Sequence, residues 1–107
     1  MSAEDHEAKL EGLAQIDRVV HEPARLLVLC NLYGLESADF LFLLRKTGLT
    51  RGNLSAHMRK LETAGYVDVE KTFVERLPLT VYRITQAGRT ALQEYRERLT
   101  SGLSVVS

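Results

Sequence analysis

Thr47-Gly48-Leu49-Thr50-Arg51-Gly52-Asn53-Leu54-Ser55-Ala56-His57-Met58-Arg59-Lys60-Leu61-Glu62-Thr63-Ala64-Gly65-Tyr66 is the stretch on which the fold turns. Gly48 signals a turn, and Thr50 an N-cap whose hydroxyl accepts from the amides of a first helical turn. Gly65 suits the position just past a helix end, where left-handed backbone is wanted. Between them Leu54, Met58 and Leu61 recur at i, i+4 and i+7, one apolar helix face. Stepping round the helix from Leu54 places Leu54, Met58, Leu61 and Gly65 within about 40° of one direction. Gly52, Ser55, Ala56, Arg59 and Thr63 point the other way, with Asn53 and Lys60 on one flank.

The outward face is small and polar near its start and basic one turn later. Small residues let a helix approach a duplex closely, and Arg and Asn make paired hydrogen bonds to base edges in the major groove. Taken alone, the stretch reads equally well as an ordinary amphipathic helix with a solvated basic face. Preceded by another helix and a tight turn, it reads as the recognition helix of a helix-turn-helix.

Charge is distributed unevenly along a chain of zero net charge. Residues 1–44 hold three bases against eight acids, a net of −5; residues 45–83 hold eight bases against four acids, a net of +4; the remainder is +1. The basic excess falls on the helix-turn-helix and the strands after it, where a phosphate backbone would be met. Its modest size suits a protein whose binding is doubled by dimerisation. The 107 residues, 45% hydrophobic and 26% charged, predict a single folded domain over 1–107. No apolar run reaches membrane-spanning length. The acidic first residues lack the apolar core of a leader. A cytoplasmic protein without a membrane partner is therefore expected. The lone Cys30, in the apolar run 26–32, is expected to be a small buried residue. His21 is expected at the surface or in a cap.

Residues 4–20 read as a helix, with Leu10, Leu13, Ile16 or Asp17, and Val20 marking a face. Pro23 opens a second helix, 23–33, closed by Gly34. It is apolar round most of its circumference and should be the most buried element. Ser37 is expected to cap a third helix ending near Thr47, with Phe40, Leu41, Leu43 and Leu44 inside and Phe42 left for a second surface. After the recognition helix, 66–71 and 80–85 alternate as half-buried strands, with Val81, or Val81 and Ile84, facing in. The segment between them reads as a loop too long for a two-residue turn. Thr85 caps a last helix, 86–100, whose apolar side is Ala87, Ala91, Leu92, Tyr95 and Leu99. Residues 101–107 read as a loose tail.

The order helix, helix, helix, recognition helix, strand, wing, strand, helix resembles the winged helix-turn-helix regulators of the MarR and ArsR type. The resemblance rests on the string from Leu49 to Glu62 followed by Ala64-Gly65-Tyr66-Val67. Pro78, Thr80, Tyr82-Arg83-Ile84-Thr85 and Gly88-Arg89 resemble the wing exit and the start of the final helix. It covers about residues 20–100. It implies a mostly helical α+β fold: a helix-turn-helix over 37–65, a two-stranded β-hairpin wing over 66–85, and flanking N-terminal (1–20) and C-terminal (86–100) helices. It further implies a homodimer whose terminal helices pair through Leu10, Leu13, Val20, Tyr95 and Leu99. Its two recognition helices would reach major grooves about 34–36 Å apart. Metal sensors of the ArsR type carry a Cys-x-Cys or sets of His and acids. This chain has neither, and His6, His21 and His57 are spaced for no common site, so no metal or cofactor is expected. A small-molecule effector is not indicated.

The expected function is sequence-specific binding of double-stranded DNA by a transcriptional regulator, repression being the default for a small protein with no second domain. Arg51, Gly52, Asn53, Ser55, Ala56 and Arg59 would face base edges. Thr50, His57 and Lys60 would lie nearer phosphates, and Lys71, Arg76 and Arg83 would carry the wing contact. The alternative is a winged-helix protein-interaction module without specific DNA binding. An enzyme is not expected: no nucleophile, base and orienting acid fall together, and no Gly-rich phosphate loop comes after a strand.

Overall fold

Thirteen apolar side chains drawn from the middle and end of the chain make one core: Val20, Val28, Leu29, Leu32, Leu43, Leu54, Met58, Leu61, Val67, Tyr82, Ile84, Ala91 and Tyr95. The computed structural model describes residues 2–107. Around that core it arranges α1 (Ala3–Ala14), α2 (Pro23–Leu35), β1 (Ser37–Asp39), α3 (Phe40–Thr47), α4 (Arg51–Thr63), β2 (Val67–Val74), β3 (Leu77–Ile84) and α5 (Gln86–Leu103). The antiparallel sheet runs in the order β1-β3-β2. This is the expected mostly helical winged architecture, with a third strand added at its base.

The first helix is shorter than its spacing predicts. It stops at Ala14, and the Asp17 carboxylate then accepts from the amides of Val19 at 2.8 Å and Val20 at 3.2 Å, turning the chain. That turn drops Val20 into the core, wholly buried. Tyr95 is buried there too. Both are removed from the expected dimer surface because the protomer itself covers them. α2 runs through Gly34 to Leu35, and its buried stripe is Arg25, Val28, Leu29 and Leu32. Cys30, one step past Leu29, is exposed rather than buried. His21 is exposed as expected, with its Nδ1 3.0 Å from the Tyr95 hydroxyl.

Ser37 caps nothing. Ser37, Ala38 and Asp39 pair with Arg83, Tyr82 and Val81 of β3, and Asp39 caps α3 instead, accepting from the Phe42 amide at 2.8 Å. Leu41 is exposed, contrary to expectation. The strands after α4 run without a long loop to a two-residue turn: Val74 pairs with Leu77, and Glu75 and Arg76 between them have φ of 52° and 70°. Positive φ at both central residues is the signature of the hairpin turn whose twist matches its strands. Pro78 fits because the pair after the closing one exchanges no ladder bonds, so its missing N–H is not needed. On β3 it is Tyr82 and Ile84 that are buried; Val81 lies on the other face, since successive side chains alternate.

At the far end, α1 packs along α5 with Leu13 against Gly102 and Gly12 beside Arg98. The helix reaches Leu103, so 101–103 are not loose tail. α1 has no buried residue of its own. The chain measures 62 × 25 × 21 Å with a radius of gyration of 16.4 Å, well above the ~13 Å of a compact domain this long.

Candidate nucleic-acid interface

α4 is held from beneath and capped at both ends. Leu54, Met58 and Leu61 are fully buried, and the Thr50 hydroxyl accepts from the Asn53 amide at 3.2 Å. At its exit Gly65, with φ 79°, donates to the Glu62 carbonyl and Tyr66 to the Leu61 carbonyl, both at 2.9 Å. That is the paired closing motif a left-handed glycine permits. The entry turn uses Gly48, with φ 68°.

This leaves Thr50, Arg51, Gly52, Asn53, Ala56, Arg59 and Lys60 exposed, with Ser55 half-buried. The β2–β3 hairpin stands beside them. Register places Val69 opposite Tyr82 and Lys71 opposite Thr80. These four share with Phe40, Ser55, Arg59 and Glu62 the wall of an open groove between α4 and the sheet. Arg59 and Lys71 are thus brought to one groove from two elements. Among the described residues both ion-pair contacts lie at Glu22. Arg51, Arg59, Lys60, Lys71 and Arg76 accordingly have no carboxylate within 4.0 Å and keep their charge for an outside partner.

Two expected members do not join this surface. Arg83 pairs opposite Asp68 and Ser37 at the base of the sheet. Alternation from the buried Tyr82 turns it to the face away from α4. His57 points inward: its Nδ1 lies 3.0 Å from Arg25 Nη1 and 3.3 Å from a Glu22 carboxylate oxygen. It sits three residues after Leu54, beside the buried stripe, and that spacing was the available signal. Arg76 lies at the exposed tip of the wing, next to Glu75.

Other residues were not picked out from the sequence. Arg45 and Lys46 are exposed in the last turn of α3, next to the turn that leads into α4. Lys46 Nζ stands 5.4 Å over the Phe42 ring, a cation–π contact made at the surface. Two adjacent bases just before the turn glycine were the signal. Arg25, the one buried charged side chain among the described residues, donates Nε to the Val19 carbonyl at 2.6 Å and Nη2 to the Arg18 carbonyl at 3.3 Å. Tyr66 donates its hydroxyl to the Asp17 carboxylate. Burial, together with that bond and the charges of Asp17 and Glu94, pushes the Tyr66 phenol up to about 12. Burial works to raise the Glu22 carboxyl, but bonds from the Ala24 and Arg25 amides and the nearby His57 and Arg25 outweigh it and hold it below the ordinary value.

No group of three or more His, Cys, Asp or Glu among the described residues is placed to hold a metal ion. No helix among them is long and apolar enough to cross a membrane.

Residues 24–103 match the family model of a winged helix DNA-binding domain. An uncharacterized protein of Methanocaldococcus jannaschii is 37% identical over 78 residues, covering 73% of this chain and 85% of its own. Among solved structures, a transcriptional regulator homologue from Pyrococcus horikoshii superposes with a TM-score of 0.73 at 33% identity, covering 90% of this chain and 94% of that one. The transcriptional repressor BigR from Xylella fastidiosa shares the fold, with a TM-score of 0.59 at 22% identity, covering 100% and 98%.

Proposed function

Because the chain belongs to the winged helix DNA-binding domain family, a family of regulators rather than enzymes, we propose that it is a transcriptional regulator that reads double-stranded DNA as a homodimer. The observation that carries this reading is the exposed α4 face, with Arg51, Asn53 and Arg59 outward, the two arginines without an ion pair, and Arg59 sharing a groove with Lys71. Arg51, Gly52, Asn53, Ser55, Ala56 and Arg59 meet base edges, while Thr50, Lys60, Arg45 and Lys46 meet phosphates. The wing contributes Lys71 and Arg76.

Dimerisation is supported by α1, which lies along α5 but has no residue of its own fully buried within the protomer. An isolated helix of its length is marginal in water. With Val20 and Tyr95 inside the protomer, and Leu13 and Leu99 half-buried in it, the surface proposed to pair is led by the exposed Leu10, Leu103 and Val106, with the open sides of Leu13 and Leu99 beside them. Repression is the proposed mode, since occupancy of a promoter is enough to obstruct it.

Anisotropy titrations at several salt concentrations test this, using the duplex upstream of its own gene and a scrambled control. Binding that falls steeply with salt and favours the upstream duplex is expected. Weak binding to both, indifferent to salt, would favour a protein-interaction module. The observation on that side is the apolar wing tip, where Phe73 is 72% and Leu77 69% exposed.

A further inference from the structure

The segment 15–22 joins the α1 arm to α2, and it is tied to α4 at two separate points. At the first, Arg25 reaches from the first turn of α2, holds the Val19 and Arg18 carbonyls through Nε and Nη2, and meets His57 of α4 through Nη1. Glu22 completes this point: its carboxylate caps α2 through the Ala24 amide at 2.9 Å and the Arg25 amide at 3.0 Å, and lies 3.3 Å from His57. At the second point Asp17, which shapes the turn of the segment, takes the hydroxyl of Tyr66 at the exit of α4. Between them Val19 lines one pocket with Ala56 and Lys60 of α4 and with Ala64, the residue that caps its end. Nothing in the packing of the core demands these polar bonds. Leu54, Met58 and Leu61 already seat α4, and the arm already lies on α5.

We propose that Arg25 and Tyr66 are positioning residues that clamp the arm's linker to the recognition helix, so that the arm and the reading face of α4 move as one body. The inference rests on the DNA-reading role of α4 proposed above and adds the means by which dimer geometry reaches it. In a homodimer joined through the arms, the separation of the two reading helices is then set by two clamps per protomer. A displacement of the arms is delivered directly to α4. A buried arginine bonded to two carbonyls and a histidine suits that task, because its planar fork fixes direction as well as distance.

The test uses Tyr66→Phe, which removes one hydroxyl, and Tyr66→Phe combined with Arg25→Lys, which keeps the charge and loses the fork. Spin labels at Glu7→Cys and Arg51→Cys, in a Cys30→Ser background and diluted with unlabelled protein, read the distance from arm to α4 within one protomer, without DNA. A single narrow distribution is expected in the parent, with broadening to about twice its width in the double variant and an intermediate width for Tyr66→Phe. Should the double variant not fold, Tyr66→Phe alone carries the comparison. Unchanged mean and width overturn the clamp.

The unlabelled proteins are then titrated with a duplex selected by the parent from a randomised pool, and with the same duplex lengthened by two base pairs at its centre. The parent is expected to lose roughly ten-fold in affinity on lengthening, and the double variant less than about three-fold. Equal losses overturn the proposal. A parent that selects no duplex counts against the regulator reading, while the distances still decide the clamp.

Discussion

α4 and the β2–β3 hairpin are consecutive in the chain and face the same groove, yet they are held in opposite ways. α4 buries three large side chains completely, has a side-chain cap at its start and a paired glycine motif at its end. The hairpin is covered by β1 only as far as Val81. From there the ribbon of residues 71–80 stands alone, ending in Phe73, Val74 and Leu77, all exposed. The orientation of the helix is therefore a property of the protomer. The wing tip has no such support within the protomer, and a two-stranded hairpin without a packed face is marginal in water.

The sharpest way to break this contrast is a pair of leucine substitutions. Leu54→Ala is expected to cost about 2–5 kcal/mol of folding stability, as deletion of a fully buried leucine does. Leu77→Ser, at the wing tip, should change stability by less than about 0.5 kcal/mol. Denaturant melts of the two variants measure both. A large loss from Leu77→Ser would mean that the wing is packed in solution against something the protomer does not supply.

The same contrast decided what the sequence could reveal. The helix was legible because its signals are local: an apolar period of three and four residues, a threonine before it and a glycine after it. The wing was legible only at its base, where alternation marks strands. Its turn was not, because Glu75-Arg76 carries none of the Asn-Gly chemistry that announces positive φ. β1 was invisible for a related reason: Ser37-Ala38-Asp39 is a strand only through its partner β3. Within α2, apolar on nearly every side, the pattern did not say which stripe faces inward, so Cys30 was placed on the wrong side. Residues 15–20 read as continued helix because Ile16 or Asp17, and Val20, keep the helical spacing of Leu10 and Leu13, while the stop comes from Asp17 capping its own turn. Arg25 meets His57, and Tyr66 meets Asp17, across long separations in sequence, which no local pattern records.

pH sharpens the comparison from the helix side. The Tyr66 hydroxyl, raised to about 12 in the folded chain, has an ordinary value near 10 when unfolded. A raised value means that the folded state holds the proton more tightly. The stability it brings is therefore complete below about pH 10 and lost as pH rises through about 12. Spectrophotometric titration of the phenols should show a late component that Tyr66→Phe removes. The wing carries no tyrosine beyond Tyr82 at its base, so its tip should be indifferent to the same range.

Arginines on the two elements should also behave differently toward DNA. If Arg59 reads a base as proposed, Arg59→Ala should cost roughly 1–3 kcal/mol on the preferred duplex and far less on a scrambled one. Arg76→Ala should weaken both duplexes alike and lower the dependence on salt by about one ion. Titrations of the two variants against both duplexes separate these outcomes. A uniform loss from Arg59→Ala would remove it from base reading, and an unchanged salt slope for Arg76→Ala would remove the wing from the phosphates.

The smallest effect belongs to the turn itself. Glu75 holds φ at 52°, a region where asparagine is far more at ease than glutamate. It also places a negative charge directly beside Arg76. Glu75→Asn relieves both at once, and the two consequences are separable. Easier backbone geometry should raise stability by no more than about 0.5 kcal/mol, independent of salt. Removing the charge should tighten DNA binding only at low ionic strength, where exposed charges are not yet screened. Tighter binding that persists at high salt would locate the gain in the shape of the wing, and the tip would then be reading the groove rather than sensing its charge.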